Sequence, residues 1–319
     1  MKVLLTGAFG HVGSHSVGEL LQQGHSVRCF DVQNKHTEAA AARFGDRVEV
    51  LWGDVRDVAA VRVAVAGCDV IIHLAAVIPP FSNEQPELAR QVNVDGTRNL
   101  LEAAQAQATP PKFLLASTFD LFGHTRHLPP PRRVTDPVVA TDPYTEHKIA
   151  CEAMVKASAL TWTIFRFSDV PQIVLRKAHP IMFEIRPDTR FEVIHPCDLA
   201  LALANALHCD VWGKTLLIGG GARCQMTYRE YLGQILTAMG IGTLPDEAFT
   251  TEEYVTDWLD TEESQRLLQY QRTGWDDIVR EIAALLGWRK YFVPLARPFA
   301  RRSMLKLSPY WQEYQRRRA

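Results

Sequence analysis

The sequence predicts a doubly wound α/β fold, in which helices cover both faces of a parallel β-sheet. Two observations carry the prediction: short apolar runs alternate with helix-length segments, and a glycine-rich turn directly follows the first run. Parallel strands need crossover connections, and the amphipathic segments between the runs are expected to supply them as helices. Six runs are predicted strands: Val3–Thr6, Ser26–Asp31, Val48–Leu51, Val70–Leu74, Lys112–Ser117 and Thr161–Phe165.

Length and composition exclude several classes of protein. The chain has 319 residues, 47% of them hydrophobic, and a formal net charge of −1. This composition is that of an ordered globular protein, and the near-neutral charge offers no field that would gather nucleic acid. No apolar run reaches the roughly 18 residues that span a bilayer, and no signal peptide precedes the first strand, so a cytoplasmic protein is expected. The cysteines lack metal-ligand spacing and are expected to be buried free thiols: Cys29, Cys68, Cys151, Cys197, Cys209 and Cys224.

The pattern divides the chain into three regions. Residues 1–166 carry the regular alternation of strands and helices. Over residues 167–286 the alternation weakens, and Tyr228–Met239 and Asp276–Leu286 are predicted helices of a smaller, mainly helical lobe that is partly interleaved with the sheet. Residues 287–319 form an apolar arm with nine Lys or Arg against one acid, a charge of +8 that leaves −9 for the rest of the chain.

The glycine-rich turn has the features of a dinucleotide site. Gly7, Gly10 and Gly13 lie in the segment Thr-Gly-Ala-Phe-Gly-His-Val-Gly, which follows the first predicted strand and opens a helix. Glycines let the chain turn tightly and bring its backbone close to a pyrophosphate. The N-terminus of the following helix then offers amide donors and positive partial charge to the phosphates.

An acidic residue at the end of the second predicted strand indicates which dinucleotide binds. Asp31 lies 18 residues after Gly13, where a carboxylate accepts hydrogen bonds from both hydroxyls of the adenosine ribose and repels a 2′-phosphate. This position favours NAD over NADP. The nearby cationic side chains of Arg28 and Lys35 leave NADP open as an alternative.

A tyrosine and a lysine four residues apart form a candidate acid–base pair. Tyr144 and Lys148 follow the proline-rich segment Leu128–Arg133, which is predicted to be a loop. Pro143 suits the first position of a helix and Asp142 can cap it, so the two side chains are expected on one helix face. An adjacent ammonium group, together with an oxidised nicotinamide, lowers the pKa of a phenol, which then serves as a general acid or base.

The ordered set of motifs resembles the extended short-chain dehydrogenases/reductases, the NAD-dependent epimerase/dehydratase family, over residues 1 to about 220. The Gly-x-x-Gly-x-x-Gly spacing and the Tyr-x-x-x-Lys pair both fit this resemblance. Further matching segments are Gly53–Val55, His73–Ala76, Asn93–Leu100, Leu115–Thr118, Arg166–Val170 and His195–Ala200. The resemblance implies a Rossmann-type NAD-binding domain that carries the catalytic residues, followed by a substrate lobe.

The resemblance also assigns roles to individual residues. Thr118 is expected to hold the substrate oxygen, Tyr144 to transfer the proton, and Lys148 to hold the nicotinamide ribose and tune the phenol. His195 is expected to be structural. The implied NAD-binding residues are Gly7, Phe9, Gly10, His11, Val12, Gly13, Asp31, Asp54, Val55, Leu74, Ala75, Ala76, Asn93, Ser117, Tyr144, Lys148, Phe167 and Ser168.

Departures from the family pattern bear on the substrate. Phe122 stands where the family usually has tyrosine. Only 24 residues separate Val170 from His195, whereas nucleotide-sugar enzymes generally have a longer segment there that binds the nucleotide. Phe119 and Asp120 replace the Asp-Glu pair of sugar dehydratases, so elimination of water is expected to lack its acid.

Three functions remain open from the sequence. Family frequency favours a nucleotide-sugar epimerase, the short segment favours a net ketoreductase of the hydroxysteroid dehydrogenase type, and a non-catalytic NAD sensor is a third alternative. A small-molecule substrate and a homodimer are expected, with no nucleic-acid partner. The basic arm fits either an anionic membrane surface or a packed arm, and packing is favoured because Pro294 and Pro298 are expected to interrupt a continuous helix.

Overall fold

Seven parallel strands form one central sheet in the computed structural model, which describes residues 1–318. The sheet order is β3-β2-β1-β4-β5-β6-β8. The strands are β1 Lys2–Thr6, β2 Ser26–Asp31, β3 Glu49–Trp52, β4 Val70–His73, β5 Lys112–Thr118, β6 Trp162–Phe167, β7 Arg190–Glu192, β8 Thr215–Ile218 and β9 Gln225–Thr227. The strand order reverses between β1 and β4, which is the crevice where doubly wound folds bind their ligands.

All six predicted strands are confirmed, with ends that shift by one or two residues. The seventh strand of the sheet, β8, was not predicted, although it has the same four-residue length as β3 and β4. It pairs in parallel with β6, as Phe167 does with Ile218. The sheet therefore draws its last strand from the region assigned by sequence to the smaller lobe.

Helices cover the sheet on both faces. The helices are α1 His11–Gln22, α2 Lys35–Ala41, α3 Val58–Val65, α4 Phe81–Glu84, α5 Pro86–Arg90, α6 Gly96–Gln105, α7 Pro143–Ala157, α8 Pro196–Asn205, α9 Tyr228–Ala238, α10 Glu262–Leu268, α11 Trp275–Ala284, α12 Val293–Leu305 and α13 Pro309–Arg318. A single π-helical turn, Gln91–Asp95, joins α5 to α6. On one face α1 packs against α8, and on the other α3, α6 and α7 bury a second apolar cluster.

The smaller lobe has its own apolar cluster. β7 and β9 pair antiparallel as a two-stranded sheet, which α9 and α11 cover. Phe183, Tyr228, Tyr231 and Trp275 pack together there, with the rings of Tyr231 and Trp275 stacked 4.9 Å apart. The helices predicted at Tyr228–Met239 and Asp276–Leu286 are confirmed as α9 and α11, each with slightly different ends.

The arm contains a helix that the sequence argument excluded. The prediction that Pro294 and Pro298 interrupt a continuous helix is wrong, because α12 begins beside the first proline and continues through the second. A proline in the first turn of a helix removes no intrahelical hydrogen bond, and one in the interior removes a single bond. Over the described residues no helix is long and apolar enough to cross a membrane.

The six cysteines are free thiols, as predicted, although they are not all buried. Cys29, Cys68, Cys151 and Cys224 are buried. Cys197 is exposed at the start of α8, which contradicts the prediction of burial for that residue, and Cys209 is half-buried. No cluster of side chains suited to a metal ion occurs in the part of the chain that the structure describes.

Candidate active site

The glycine turn between β1 and α1 fits only glycine at two positions. Gly7 has a φ of +65°, and a Cβ atom there would lie 2.9 Å from the backbone nitrogen of Ala75. At Gly13 a Cβ atom would lie 2.1 Å from the carbonyl oxygen of Gly7. No side chain caps the N-terminus of α1, which follows Gly10. The turn therefore leaves the first amides of α1 available to a phosphate, and these residues fit the pyrophosphate of a dinucleotide.

Asp31 ends β2 directly beside this turn. Its Oδ2 accepts a hydrogen bond of 2.8 Å from the backbone N–H of Phe9, and its Oδ1 accepts one of 2.8 Å from that of Val32. Burial raises the pKa of the Asp31 carboxyl, and these hydrogen bonds oppose the rise. The carboxylate thus both fixes the glycine turn and faces the position expected for the adenosine ribose.

The side chain of Arg28, one reason why NADP remained an alternative cofactor, has its hydrogen-bond partners inside the protein. Its guanidinium donates to the carbonyl oxygens of Ala64 and Ala66 at 2.7 Å and forms an ion pair of 3.0 Å with Glu49. The side chain is buried and so is not available to a 2′-phosphate. One of the two cations that made NADP an alternative is therefore unavailable. The other, Lys35, is exposed at the start of α2.

The segments after β3 and β4 form the other wall of the crevice. Asp54 pairs with Arg56 at 2.6 Å, and this contact holds the pKa of the Asp54 carboxyl below its usual range. Val55 is buried next to α6.

The backbone N–H of Ala75 donates to the Thr6 hydroxyl at 3.2 Å, which fixes the chain after β4. Leu74 and Ala76 flank Ala75 and, like it, are half-buried. Around the glycine turn, Phe9 is buried and Val12 packs against the apolar cluster beneath.

Two of the predicted cofactor residues use their side chains elsewhere. The amide of Asn93 donates to the carbonyl oxygen of Val77 at 2.9 Å and accepts from the N–H of the same residue at 2.7 Å. The hydroxyl of Ser117 donates to Glu152 at 2.7 Å. Both side chains therefore have hydrogen-bond partners within the protein, and contact of these residues with the cofactor stays a prediction. They position the chain after β4 and the helix α7.

The helix α7 begins as the sequence predicts. Pro143 occupies its first turn, and the Asp142 carboxylate accepts a hydrogen bond of 2.8 Å from the N–H of Thr145. The side chains of Tyr144 and Lys148 are both buried. The Lys148 ammonium lies 5.8 Å from the centre of the Tyr144 ring and is held from its other side by the Ala116 carbonyl oxygen at 2.7 Å. The prediction of a capped helix that carries both residues on one face is confirmed.

At the end of β5, Thr118 lies next to Tyr144 and Lys148. Burial raises the pKa of the Tyr144 phenol, the negative charge of Asp120 raises it further, and a hydrogen bond with the Thr118 hydroxyl opposes both effects. Burial also lowers the pKa of the Lys148 ammonium. Among the protein's own groups burial is the largest influence on the pKa of Tyr144, whereas the expectation of a lowered pKa also counted the positive charge of the oxidised nicotinamide.

Asp120 places a carboxyl group beside Thr118. Its Oδ2 accepts a hydrogen bond of 2.9 Å from the Thr118 hydroxyl. Burial raises the pKa of Asp120 to about 7 and that of Asp169, which follows β6, to about 6. The expectation that elimination of water lacks its acid stays a prediction. In the sequence, the signal that Asp120 lies at the site was its position two residues after the end of β5.

The segment after β6 closes the crevice. Phe167 is half-buried, and Ser168 is buried with a hydroxyl that has no partner among the described residues. The ring of His11 contacts the Pro171 carbonyl oxygen at 3.2 Å, and burial lowers the pKa of His11. The start of α1 is therefore joined to the segment that was expected to meet the nicotinamide.

His195 has the structural role that the sequence predicts. Its Nδ1 accepts a hydrogen bond of 3.1 Å from the N–H of Cys197 and so caps α8, while its Nε2 lies 3.1 Å from Glu281. Burial lowers the pKa of His195, but the side chains of Cys197 and Glu281 outweigh it and raise the pKa to about 9. The ring joins α8 to α11 and lies outside the catalytic group.

A buried ion pair beneath α7 was missed from the sequence. Glu152 accepts two hydrogen bonds of 2.8 Å from Arg166 on β6, and Ser117 on β5 donates to the same carboxylate. Glu152 lies one helical turn after Lys148. The network therefore fixes the catalytic helix against the two strands whose ends form the site. Its partners lie too far apart in sequence for a local pattern to indicate them.

Comparisons with known proteins agree with this geometry. The model of the NAD dependent epimerase/dehydratase family matches residues 3–170. A 3 beta-hydroxysteroid dehydrogenase/Delta 5→4-isomerase of Mycobacterium tuberculosis is 34% identical over 168 residues, which cover 49% of this chain and 42% of that protein. A UDP-glucose 4-epimerase of Halalkalibacterium halodurans is 33% identical over 158 residues, 48% of this chain and 45% of that protein. The chain thus matches less than half the length of each of these curated relatives.

Solved structures with the same fold span nearly the whole chain. The UDP-glucose 4-epimerase of Thermotoga maritima, solved with UDP-glucose, superposes with a TM-score of 0.75 at 18% identity and covers 92% of this chain and 100% of its own. A short-chain dehydrogenase/reductase superfamily protein of Agrobacterium tumefaciens, solved with bound NAD, gives 0.73 at 21% identity and covers 93% and 100%. The family match extends over more than half of the sequence and includes the glycine turn, Asp31, Thr118, Tyr144 and Lys148. The chain therefore belongs to the NAD dependent epimerase/dehydratase family.

Proposed function

We propose that this protein interconverts a secondary alcohol and a ketone by hydride transfer with NAD. The observation that carries the proposal is the convergence of Thr118, Tyr144 and Lys148 at the carboxyl end of β5, beside the glycine turn. Tyr144 donates the proton to the ketone oxygen or removes it from the alcohol. Thr118 orients that oxygen, and Lys148 holds its ammonium beside the phenol. NAD supplies the acceptor or donor of the hydride when it is bound.

The cofactor-binding residues are part of the same proposal. Amides at the start of α1 bind the pyrophosphate, and Asp31 binds the ribose hydroxyls of the adenosine half. The remaining residues are proposed to line the cofactor by position: His11, Val12, Asp54, Val55, Leu74, Ala75, Ala76, Phe167 and Ser168. Asn93 and Ser117 are proposed to border the cofactor as well, with side chains that bond to Val77 and Glu152.

The loops around the catalytic group favour an apolar substrate. Large apolar side chains are exposed in the loops after β4, β5 and β6, where the substrate of a parallel sheet enzyme binds. They are Ile78, Phe81, Val134, Val138, Val139, Val174, Leu175 and Ile181. Exposed apolar groups grouped at one edge of a fold mark a binding surface. This supports net oxidation or reduction of a non-nucleotide alcohol, which the short segment between Val170 and His195 also favours.

A nucleotide-sugar epimerase is the second candidate. One observation supports it: Arg176 lies close to both Asp169 and His11. Its positive charge opposes the rise in the pKa of Asp169 and adds to the fall in the pKa of His11. A cation at that position can pair with a diphosphate. Solved relatives with this fold include proteins described as complexes with UDP-sugars. Retention of Thr118, Tyr144 and Lys148 argues against the third alternative, a non-catalytic NAD sensor.

Two assays separate the candidates. Purified protein is incubated with NAD and apolar secondary alcohols such as sterols, and NADH is followed by its near-ultraviolet absorbance. In parallel, UDP-glucose is incubated with the protein and the sugar products are separated by chromatography. NADH formation with the sterol supports the dehydrogenase, whereas UDP-galactose without net NADH supports the epimerase. If neither product forms but NAD binds tightly, the result would support the sensor.

We further propose that the protein is a cytoplasmic homodimer. Light scattering of the purified protein tests whether it is a dimer.

A further inference from the structure

The outward face of the arm carries a row of exposed aromatic side chains. Trp288 is 70% exposed, Phe292 is 58% exposed and Phe299 is 77% exposed. The rings of Trp288 and Phe292 contact each other with centres 5.8 Å apart. Phe292 directly precedes α12, and Phe299 follows it by seven residues, or two helical turns. The two phenylalanines therefore share one face of the helix.

The opposite face of the arm is fixed to the smaller lobe. Met304 is buried, and the Ser308 hydroxyl donates to the Ala248 carbonyl oxygen at 2.5 Å. Arg297 donates to the carbonyl oxygen of Ile241 at 3.0 Å. Trp311 packs against the apolar cluster of the lobe. Because these contacts set the orientation of α12, its aromatic row faces away from the lobe.

The positive charge of the arm is not neutralised by the rest of the protein. Residues 287–319 hold nine Lys or Arg against one acid. Within the described structure, the one arm cation with a carboxylate partner is Arg317, which pairs with Glu313 of the arm itself. Arg297 bonds to a carbonyl oxygen, and Arg302 and Lys306 are exposed. The acidic remainder of the chain therefore leaves the arm basic.

We propose that the arm docks this enzyme onto the surface of an anionic lipid bilayer. Exposed aromatic side chains enter the boundary between headgroups and acyl chains, and basic side chains beside them pair with anionic headgroups. α12 has 13 residues and α13 has 10, so the arm lies along the surface rather than crossing it. The docking does not depend on which alcohol the enzyme oxidises.

A second copy of the chain is a poorer occupant of this face. In a two-fold dimer the same surface meets itself, so the basic residues that flank Phe292 and Phe299 on one protomer would oppose those on the other. Like charges facing each other disfavour such an interface. An anionic membrane is complementary to both the charge and the aromatic row.

The test is co-sedimentation of the full chain with lipid vesicles. Phosphatidylcholine vesicles with and without about one third phosphatidylserine are compared at low and high salt. We expect pelleting with the anionic vesicles alone and its loss at high salt. Trp288→Ser/Phe299→Ser should reduce the bound fraction, whereas Val63→Ser, at a side chain 62% exposed on α3, should not. NAD binding serves as the folding control for every variant.

The charge is tested separately. Arg302→Glu/Lys306→Glu should lower the partition coefficient by more than about 25-fold, since each basic residue near an anionic surface contributes about fivefold. Arg43→Glu/Arg62→Glu makes the same change of charge at exposed residues of the sheet domain and should have a much smaller effect. Equal pelleting of the wild type with neutral and anionic vesicles, or none with either, would overturn the proposal. So would a wild-type oligomer that Trp288→Ser/Phe299→Ser dissociates while vesicle binding is unchanged.

Discussion

The Thr118 hydroxyl donates a hydrogen bond of 2.9 Å to the carboxylate of Asp120. The residue proposed to orient the substrate oxygen is therefore itself oriented by an acid. The negative charge of Asp120 raises the pKa of Tyr144, so the ionisation of Asp120 bears on the proton that Tyr144 transfers. Asp120, Asp169 and Tyr144 are expected to titrate as an interacting group rather than independently.

Asp120→Asn should shift the pH dependence of alcohol oxidation. The substitution removes a negative charge that raises the pKa of Tyr144, so the rising limb of kcat against pH should move to lower pH.

Asp120→Asn should also change the pH dependence of stability. The pKa of Asp120 in the folded protein is about 7, above its ordinary value of 3.8, so folding favours the protonated acid. Its contribution to stability is present below about pH 3.8 and lost as the pH rises through 7. The variant should therefore gain thermal stability over the wild type at pH 8, and Asp46→Asn, at an exposed site, should not.

Tyr144→Phe should abolish turnover and leave NAD affinity nearly unchanged. The substitution keeps the ring and removes only the transferable proton, whose contribution is on the order of 10²–10⁴-fold. The measurements are kcat, with whichever substrate turns over in the assays described above, and NAD binding by calorimetry. Substantial turnover in Tyr144→Phe would refute the assignment.

Asp31→Asn and Asp31→Ala should separate two roles of one carboxylate. An asparagine oxygen can still accept the hydrogen bond that Phe9 donates, so the glycine turn should persist while the charge is lost. Rejection of NADP should then relax in both variants, and NAD affinity should fall further in Asp31→Ala. Dissociation constants for both cofactors check this. A wild type that already prefers NADP would contradict the cofactor assignment.

Breaking the buried pair beneath α7 should cost far more stability than breaking its exposed neighbour. Arg166→Met removes the buried cation of the Glu152 carboxylate and leaves it only the exposed Lys156, which costs about 3–5 kcal/mol. Lys156→Met removes the other cation on the same carboxylate, but Lys156 is largely exposed, so the cost should be about 0–1 kcal/mol. Urea unfolding followed by circular dichroism measures both. Glu152→Met/Arg166→Met should recover part of the loss, and similar values for the two single variants would contradict the argument.

Cys197 should be the most reactive thiol of the protein. Hydrogen bonds from His15 and His195 lower the pKa of the exposed Cys197 thiol to about 6, whereas burial raises that of Cys29 to about 12. The thiolate is the nucleophile, so alkylation by iodoacetamide should rise through pH 6 and be complete well before Cys29 reacts. In His15→Ala the rise should move to higher pH, and in His36→Ala it should not. Peptide mass spectrometry gives the rates, and equal rates for all thiols would disprove the prediction.

Features with a local cause were predictable from the sequence. Strands of four to seven residues, the glycine turn and the capped helix that carries Tyr144 and Lys148 depend on neighbours within one or two turns of the chain. Propensity, periodicity and capping predict the strands and the helix. Thr118 was assigned by the resemblance to the family, which has a Ser or Thr at the end of the fifth strand.

Features with a nonlocal cause were not predictable. Arg166 and Glu152 meet because two elements pack, and the occupation of Arg28 by carbonyl oxygens of α3 depends on the sheet order. The occupied side chains of Asn93 and Ser117 follow from the same kind of long-range contact. A motif comparison gives a residue's position but not its hydrogen-bond partners.

The route of the chain between its two parts limits how this enzyme can change. After β6 the chain enters the smaller lobe at β7, returns to the sheet for α8 and β8, and enters the lobe again at β9. Glu192 of β7 accepts hydrogen bonds from the N–H groups of Gly221 and Leu259 and so links these passages. A fragment of residues 1–166 would therefore lack a strand and a helix of its own sheet and expose the edge of β6 to other chains. Exchanging the lobe as a unit would break the sheet, so new substrates are more readily reached by altering the loops after β4, β5 and β6.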